Sequence, residues 1–268
     1  MLVATLREAG VDVAAIRRGD GGFDARDRSS LESLPSAQVV FNCVGDIARG
    51  ASDPESFARM LETNAVFPRR VATLAATYGA RVVHISSDGV FAGREAPYLE
   101  GESPDAGDDY GASKRLGEVV ADHVLNVRLS IVGPETTPRG HLLENFLARA
   151  DGEPFDGFDD QIWDGATTLQ ASRLCLEMVE PERFDEIRAR SAWLHFAPNE
   201  PLSKHALLVE INRAYGRAIE VRQIQSGQPR TRILESQFRG EIPGLGKRAP
   251  IRAALEAMRE HTRVGSAR

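Results

Sequence analysis

The sequence predicts an α/β protein: a doubly wound parallel sheet with a smaller, discontinuous second layer. Stretches of strand length and helix length alternate through residues 11–133, the pattern of successive βαβ units. The run RVVHISS at 81–87 is rich in β-branched residues, which suits burial on both faces of a parallel sheet. At 268 residues, 42% hydrophobic and 27% charged, the chain can also bury one sizeable core or two smaller ones.

Taken in order, LVATLREA at 2–9 has apolar positions at helical spacing and stops at Gly10, a residue suited to the left-handed position after a helix. A short apolar strand follows, VDVAAI at 11–16, then a polar loop with Gly19, Gly21 and Gly22, a helical stretch at 29–34 and the strand AQVVFNCVG at 37–45. A helix at 54–78 precedes the strand at 81–87. Residues 92–108 are rich in Gly, Pro, Asp and Glu and read as a surface loop. That loop leads into a helix at 109–123 and the strand NVRLSIVG at 126–133. Beyond Gly133 the periodicity weakens through 165; a helix at 168–179, a strand at 192–197 and the amphipathic helix LSKHALLVEINRAYG at 202–216 follow. The expected division is 1–133 for the main layer and 134–268 for the second, with 168–200 returning to the main sheet.

The formal charge of -6 gives no broad positive field for a phosphate backbone, so nucleic acid is not an expected partner. No run approaches the length of apolar chain needed to span a membrane, and the N-terminus lacks the pattern of a cleaved leader, so a cytoplasmic location and no membrane partner are expected. The two cysteines, Cys43 and Cys175, form no C-x-x-C and do not pair with the six scattered histidines at metal-ligand spacing. No metal site is expected, and the histidines read as packing or surface residues.

Chemistry concentrates in two segments. Tyr110 and Lys114 are four residues apart in DYGASKRLGE, so a helix puts both on one face. An ammonium beside a phenol favours the phenolate and is expected to lower the Tyr110 pKa towards the operating pH. Such a tyrosine can protonate a carbonyl oxygen as hydride reaches the carbon. The lysine carries added weight, because arginine outnumbers lysine ten to one here and a guanidinium cannot replace a compact point charge. Ser87 ends the strand at 81–87, where α/β sheets gather their ligands, and its hydroxyl can polarise the same oxygen.

The runs VVHISSDGVFAG at 82–93, PYLEGESPD at 97–105 and YGASKRLGE at 110–118 resemble the extended short-chain dehydrogenase/reductases, and within them the dTDP-4-dehydrorhamnose reductase-like family of sugar-nucleotide reductases. In that family a Ser/Thr, a Tyr and a Lys form the catalytic set, and they match Ser87, Tyr110 and Lys114. The resemblance further implies that Cys43, Val44 and Gly45 run beneath a nicotinamide cofactor held also by Tyr110 and Lys114. It implies that Asn64 supports the site from a helix and that Asp24 and Ala25 contact the adenine. Ser87, Asp88, Trp163 and Thr167 then fall on the substrate side. Arg17 and Arg18 close the strand at 11–16 where an acidic residue usually receives the NAD ribose, which favours NADP slightly over NAD. IWDGATTLQASRL at 162–174 and the helix at 202–216 look like later segments of the same group, so the resemblance covers nearly the whole chain.

Two departures stand out. Gly89 occupies a position where the rhamnose reductases usually place an aromatic residue. The family also begins with a strand and a Gly-rich turn that holds the cofactor pyrophosphate on a helix N-terminus. This sequence starts after that turn, and the loop at Gly19, Gly21 and Gly22 more naturally serves the adenosine end. The resemblance therefore implies a Rossmann-like cofactor-binding domain at 1–133 with its first strand missing and a mainly substrate-binding domain at 134–268. A sequence that is a fragment, or whose start codon is set too far downstream, is the corresponding expectation.

The expected function is NAD(P)H-dependent reduction of a keto group on a nucleotide-activated sugar. Its rivals are a sugar-nucleotide epimerase or dehydratase, and a non-catalytic cofactor-binding regulatory subunit. The expected partner is the nucleotide-sugar substrate, with a homodimer a possible assembly.

Overall fold

Val82 and Val83, adjacent in one strand, project into two different apolar cores on opposite sides of a sheet. This is what a doubly wound layer requires, and the computed structural model, which describes residues 1–20, 23–47, 53–94, 96–135 and 141–266, has that form. Gly21 and Gly22 of the predicted glycine loop lie outside the described residues.

The α-helices, in chain order, are α1 (Leu2–Glu8), α2 (Pro54–Leu61), α3 (Phe67–Thr77), α4 (Asp109–Gly117), α5 (Leu142–Leu147), α6 (Thr168–Glu177), α7 (Pro181–Arg190), α8 (Lys204–Tyr215) and α9 (Arg252–Ser266). The strands are β1 (Val39–Asn42), β2 (Arg81–Ile85), β3 (Val124–Arg128), β4 (Ile131–Val132), β5 (Pro154–Phe158), β6 (Gln161–Trp163), β7 (Ala166–Thr167), β8 (Trp193–His195), β9 (Leu202–Ser203), β10 (Glu220–Ile224) and β11 (Arg230–Arg232).

The main sheet runs β1-β2-β3-β8, with every pair parallel and Val40, Val82 and Val124 in register across three strands. On one face Val83, Leu125 and Leu194 pack with Leu174 and Met178 from the α6 region and with Phe184 and Ile187 of α7. On the other, Val82 and Val124 pack with Phe67, Val71 and Ala75 of α3. A second layer forms around α8 and α9, where Leu207, Leu208 and Ile211 meet Leu255, Met258 and Phe146. Short sheets frame it: β5 with β10, β4 with β7, and β6 between β11 and β9. No helix among the described residues is long and apolar enough to cross a membrane.

Four predicted elements differ, the first being the strand at 126–133, which is broken into β3 and β4 of two different sheets. Residues 11–16 form no strand, because a strand is defined by ladder partners and the outer edge of β1 has none among the described residues. The helix predicted at 109–123 stops at Gly117, where Glu118 turns extended at φ -70° and ψ 109° and its carboxylate enters a buried ion pair. The helix predicted at 54–78 contains a π-helical turn at Glu62–Val66 between α2 and α3.

Candidate active site

The end of β2 and the start of α4 form the site. Ser87 caps a short 3₁₀ turn (Asp88–Val90): its Oγ accepts from the Gly89 amide at 2.9 Å and donates to Asp88 Oδ1 at 3.3 Å. Asp108 caps α4 by accepting from the Gly111 amide at 2.8 Å. The turn and the helix meet closely at Gly89, where a Cβ would lie 2.9 Å from Tyr110 Cε1 and 3.0 Å from Ser87 Oγ. A side chain at this position would therefore have to displace the Tyr110 ring or the Ser87 hydroxyl.

Lys114 follows one turn along α4, buried at 3% exposure, and its Nζ donates to the Ile85 carbonyl at 2.8 Å. Burial pushes the ammonium down to about 8 from its usual 10.5, with Glu118 opposing. Tyr110 does not follow expectation. Burial, reinforced by the carboxylates of Asp88 and Asp108, raises its phenol above the usual 10, while Ser87 and Arg232 act in the opposite sense. Lys114 has turned to the Ile85 carbonyl, so the expected lowering of the Tyr110 pKa by that ammonium is not found in this structure.

A buried ion pair lies behind this pair. Both Glu118 oxygens receive the Arg128 guanidinium, at 2.8 and 2.7 Å, and also bind Ser86 Oγ at 2.7 Å and Trp193 Nε1 at 2.9 Å. Arg128 itself lies between the rings of Phe91 and Trp193, at 5.1 and 5.3 Å from their centroids. The carboxylate thus joins α4, the strand end that carries Ser87, and β8.

Beyond the end of β1 the π turn presents Asn64. Its Nδ2 donates to the Asp46 carbonyl at 2.8 Å and to Ser113 Oγ at 3.0 Å, while its Oδ1 accepts from the Asp46 amide at 2.8 Å. The extra residue of a π turn displaces backbone from the regular ladder, a feature frequent at functional sites. Gly117 faces it, since any Cβ there would meet the Asn64 carbonyl at 1.9 Å. Cys43, Val44 and Gly45 line a cleft of about 640 Å³ together with Arg17, Asp24 and Ala25. Asp24 is held below the usual carboxylate range, first by its paired hydrogen bonds from Arg26 at 3.0 and 2.6 Å. Arg18, 70% exposed, is only 4.0 Å from that carboxylate.

The predicted substrate-side residues divide. Asp88 is at the site, accepting from Ser87. Trp163 is a core residue at 3% exposure whose indole donates to Ser130 Oγ at 2.7 Å. Thr167, fully buried, caps α6 in a reciprocal box with Gln170. In both, the polar groups are engaged within the protein.

Sequence reasoning missed Arg232 and Lys204. Arg232 arrives from β11, its Nε donating to the Phe91 carbonyl at 2.8 Å; nothing local in the sequence marks it. Lys204, acted on by Asp88 and Arg232, carried one signal, the scarcity of lysine that drew attention to Lys114. Among the described residues no cluster of His, Cys, Asp and Glu has the arrangement of a metal site.

A family model, RmlD substrate binding domain, matches residues 1–238. No curated protein matches the chain. Among solved structures, dTDP-4-dehydrorhamnose reductase of Clostridium acetobutylicum is 19% identical, with 98% of this chain and 94% of that one covered at a TM-score of 0.75. The Bacillus anthracis dTDP-4-dehydrorhamnose reductase in complex with NADP is 17% identical, covering 97% and 95% at 0.78. A UDP-galactose 4-epimerase is 20% identical, covering 98% and 94% at 0.73.

Proposed function

Because the chain belongs to the RmlD substrate binding domain family, we propose that it reduces a keto group on a nucleotide-activated sugar with a nicotinamide cofactor. The observation that carries this reading is the meeting of Ser87, Tyr110 and Lys114 at one end of β2, beside a cleft walled by residues 43–45.

The residues present fit the cofactor at both ends. The cleft beside Arg17, Asp24 and Ala25 has room and positive charge for the adenosine end, and the weakly paired Arg18 favours a 2′-phosphate and so NADPH. Asn64 holds the Asp46 backbone that walls the cleft just after Gly45, and Lys114 lies behind it on the Ile85 carbonyl. When bound, the nicotinamide supplies hydride to the carbonyl carbon. Ser87 holds and polarises the carbonyl oxygen. Tyr110 keeps its proton until needed, because burial holds the phenol in the acid form, and donates it to the oxygen as negative charge develops. Lys114, pushed down to about 8, remains largely cationic at neutral pH and would hold the nicotinamide ribose from the Ile85 side.

The test is NADPH oxidation by the full chain with 4-keto nucleotide sugars, comparing wild type with Tyr110→Phe. The substitution should cost about 10²-fold or more in turnover and leave NADPH affinity nearly unchanged. Undiminished turnover in the variant refutes the assignment. Sugar conversion without net NADPH oxidation would favour an epimerase, the activity named for one of the similar structures.

A further inference from the structure

The end of α4 grips two consecutive residues of the strand end. Lys114 Nζ donates to the Ile85 carbonyl at 2.8 Å, and Glu118, four residues on, accepts the Ser86 hydroxyl on its Oε1 at 2.7 Å. The next residue is Ser87, whose Oγ accepts from the Gly89 amide at 2.9 Å. The helix that presents Tyr110 therefore holds, at two adjacent points, the backbone that presents Ser87.

Glu118 is a firm anchor for such a grip. Four donors from three segments converge on its carboxylate: Arg128 Nε and Nη2 from β3, Trp193 Nε1 from β8, and Ser86 Oγ from the strand end. Each oxygen receives two of them, so the acceptor positions are filled and the group cannot turn. Ser86 and Glu118 are both buried, and a hydroxyl donating to a carboxylate belongs to the stronger class of hydrogen bond. Apolar side chains of similar volume often stabilise a fold as well as a buried ion pair does, so stability alone does not account for charge at this place. Ser87, moreover, lies past the regular ladder. β2 ends at Ile85, and of the amides that follow, Ser86 reaches the Val127 carbonyl at 2.7 Å while Asp88 reaches that of Leu129 only at 3.3 Å.

We propose that Ser86 and Glu118 are positioning residues for the proton relay, their contact fixing the strand end so that the Ser87 hydroxyl meets the same carbonyl oxygen as Tyr110. The proposal rests on reading Ser87, Tyr110 and Lys114 as a reductase site, and it adds two residues that act through Ser87. The same carboxylate also favours the charged form of Lys114, against the burial that disfavours it.

Ser86→Ala deletes one hydroxyl and leaves the Arg128 and Trp193 bonds to Glu118 in place. Hydrogen exchange at the Gly89 amide, bonded to Ser87 Oγ, reports where that hydroxyl stands. Exchange at the Val82 amide, bonded to the His123 carbonyl near the start of β2, reports the sheet as a whole. In Ser86→Ala the Gly89 amide should exchange about tenfold faster or more relative to Val82. An equal change at both amides, or none at Gly89, overturns the proposal whatever reaction the protein catalyses.

Turnover gives the second measurement. With NADPH and a 4-keto nucleotide sugar, Ser86→Ala should lower kcat about tenfold and leave KM for NADPH within about twofold of wild type. In a Ser87→Ala background the same substitution should cost less than about twofold, because the group it misplaces is already gone. An undiminished loss in that background, or no loss in the wild-type background, overturns the proposal. A wild-type protein that oxidises no NADPH defeats the reductase reading alone, since the exchange measurement still decides whether Ser86 holds Ser87.

Discussion

The Asn64 carboxamide closes on both backbone polar groups of Asp46, accepting its amide and donating to its carbonyl, each at 2.8 Å. The contact fixes the chain just after Gly45, where β1 gives way to the wall of the cofactor cleft. Asn64→Ala leaves both groups of Asp46 without that partner, which should cost about 1–3 kcal/mol in urea unfolding. The loosened wall should also weaken NADPH binding, measured by titration, by more than it changes turnover at saturating cofactor.

Gly89 and Tyr110 form a steric pair. Because a Cβ at 89 would come within 2.9 Å of the ring, Gly89→Ala should displace Tyr110 and reduce turnover about tenfold or more while NADPH affinity stays near wild type. In the Tyr110→Phe background the same substitution should add little, since the proton donor it misplaces is already absent. An undiminished effect in that background would show that Gly89 acts elsewhere.

Glu118 and Arg128 are nearly inaccessible, at 4% and 1% side-chain exposure. Glu118→Gln leaves the guanidinium buried without its counter-charge, and the expected loss is about 3–5 kcal/mol in denaturant unfolding. Glu118→Gln with Arg128→Met removes the stranded charge and should recover part of that stability.

Lys114 sets a pH dependence. Its folded value near 8 lies below the usual 10.5, so between these values the unfolded chain binds more protons than the folded one. Stability from this group therefore rises with pH across that window and is lowest below it. The difference in unfolding free energy between wild type and Lys114→Met should shift in favour of wild type by on the order of 3 kcal/mol from below pH 8 to above pH 10.5. A flat difference would mean that Lys114 does not titrate in that window.

Much of the fold was legible because its signals are local. The alternation through 81–133 shows which segments pair and which cover, and the spacing of Tyr110 and Lys114 puts both on one helical face. Residues 11–16 were misread because an apolar run has strand propensity whether or not a neighbour exists to hydrogen-bond with it. α4 ended early for a related reason: Glu118 gains more from Arg128, on another strand, than from one more helical turn.

The sequence by itself placed Tyr110 and Lys114 on one helical face and Ser87 at a strand end, because the first needs only a four-residue spacing and the second a local apolar run. Tertiary structure decided what state they are in and what surrounds them. The Tyr110 phenol is held protonated by burial and by the carboxylates of Asp88 and Asp108, Lys114 is tied to the Ile85 carbonyl, and the opposing charge on Tyr110 comes from Arg232 on the distant strand β11. Desolvation and charge coupling sum over groups far apart in the chain, so no local pattern carries them.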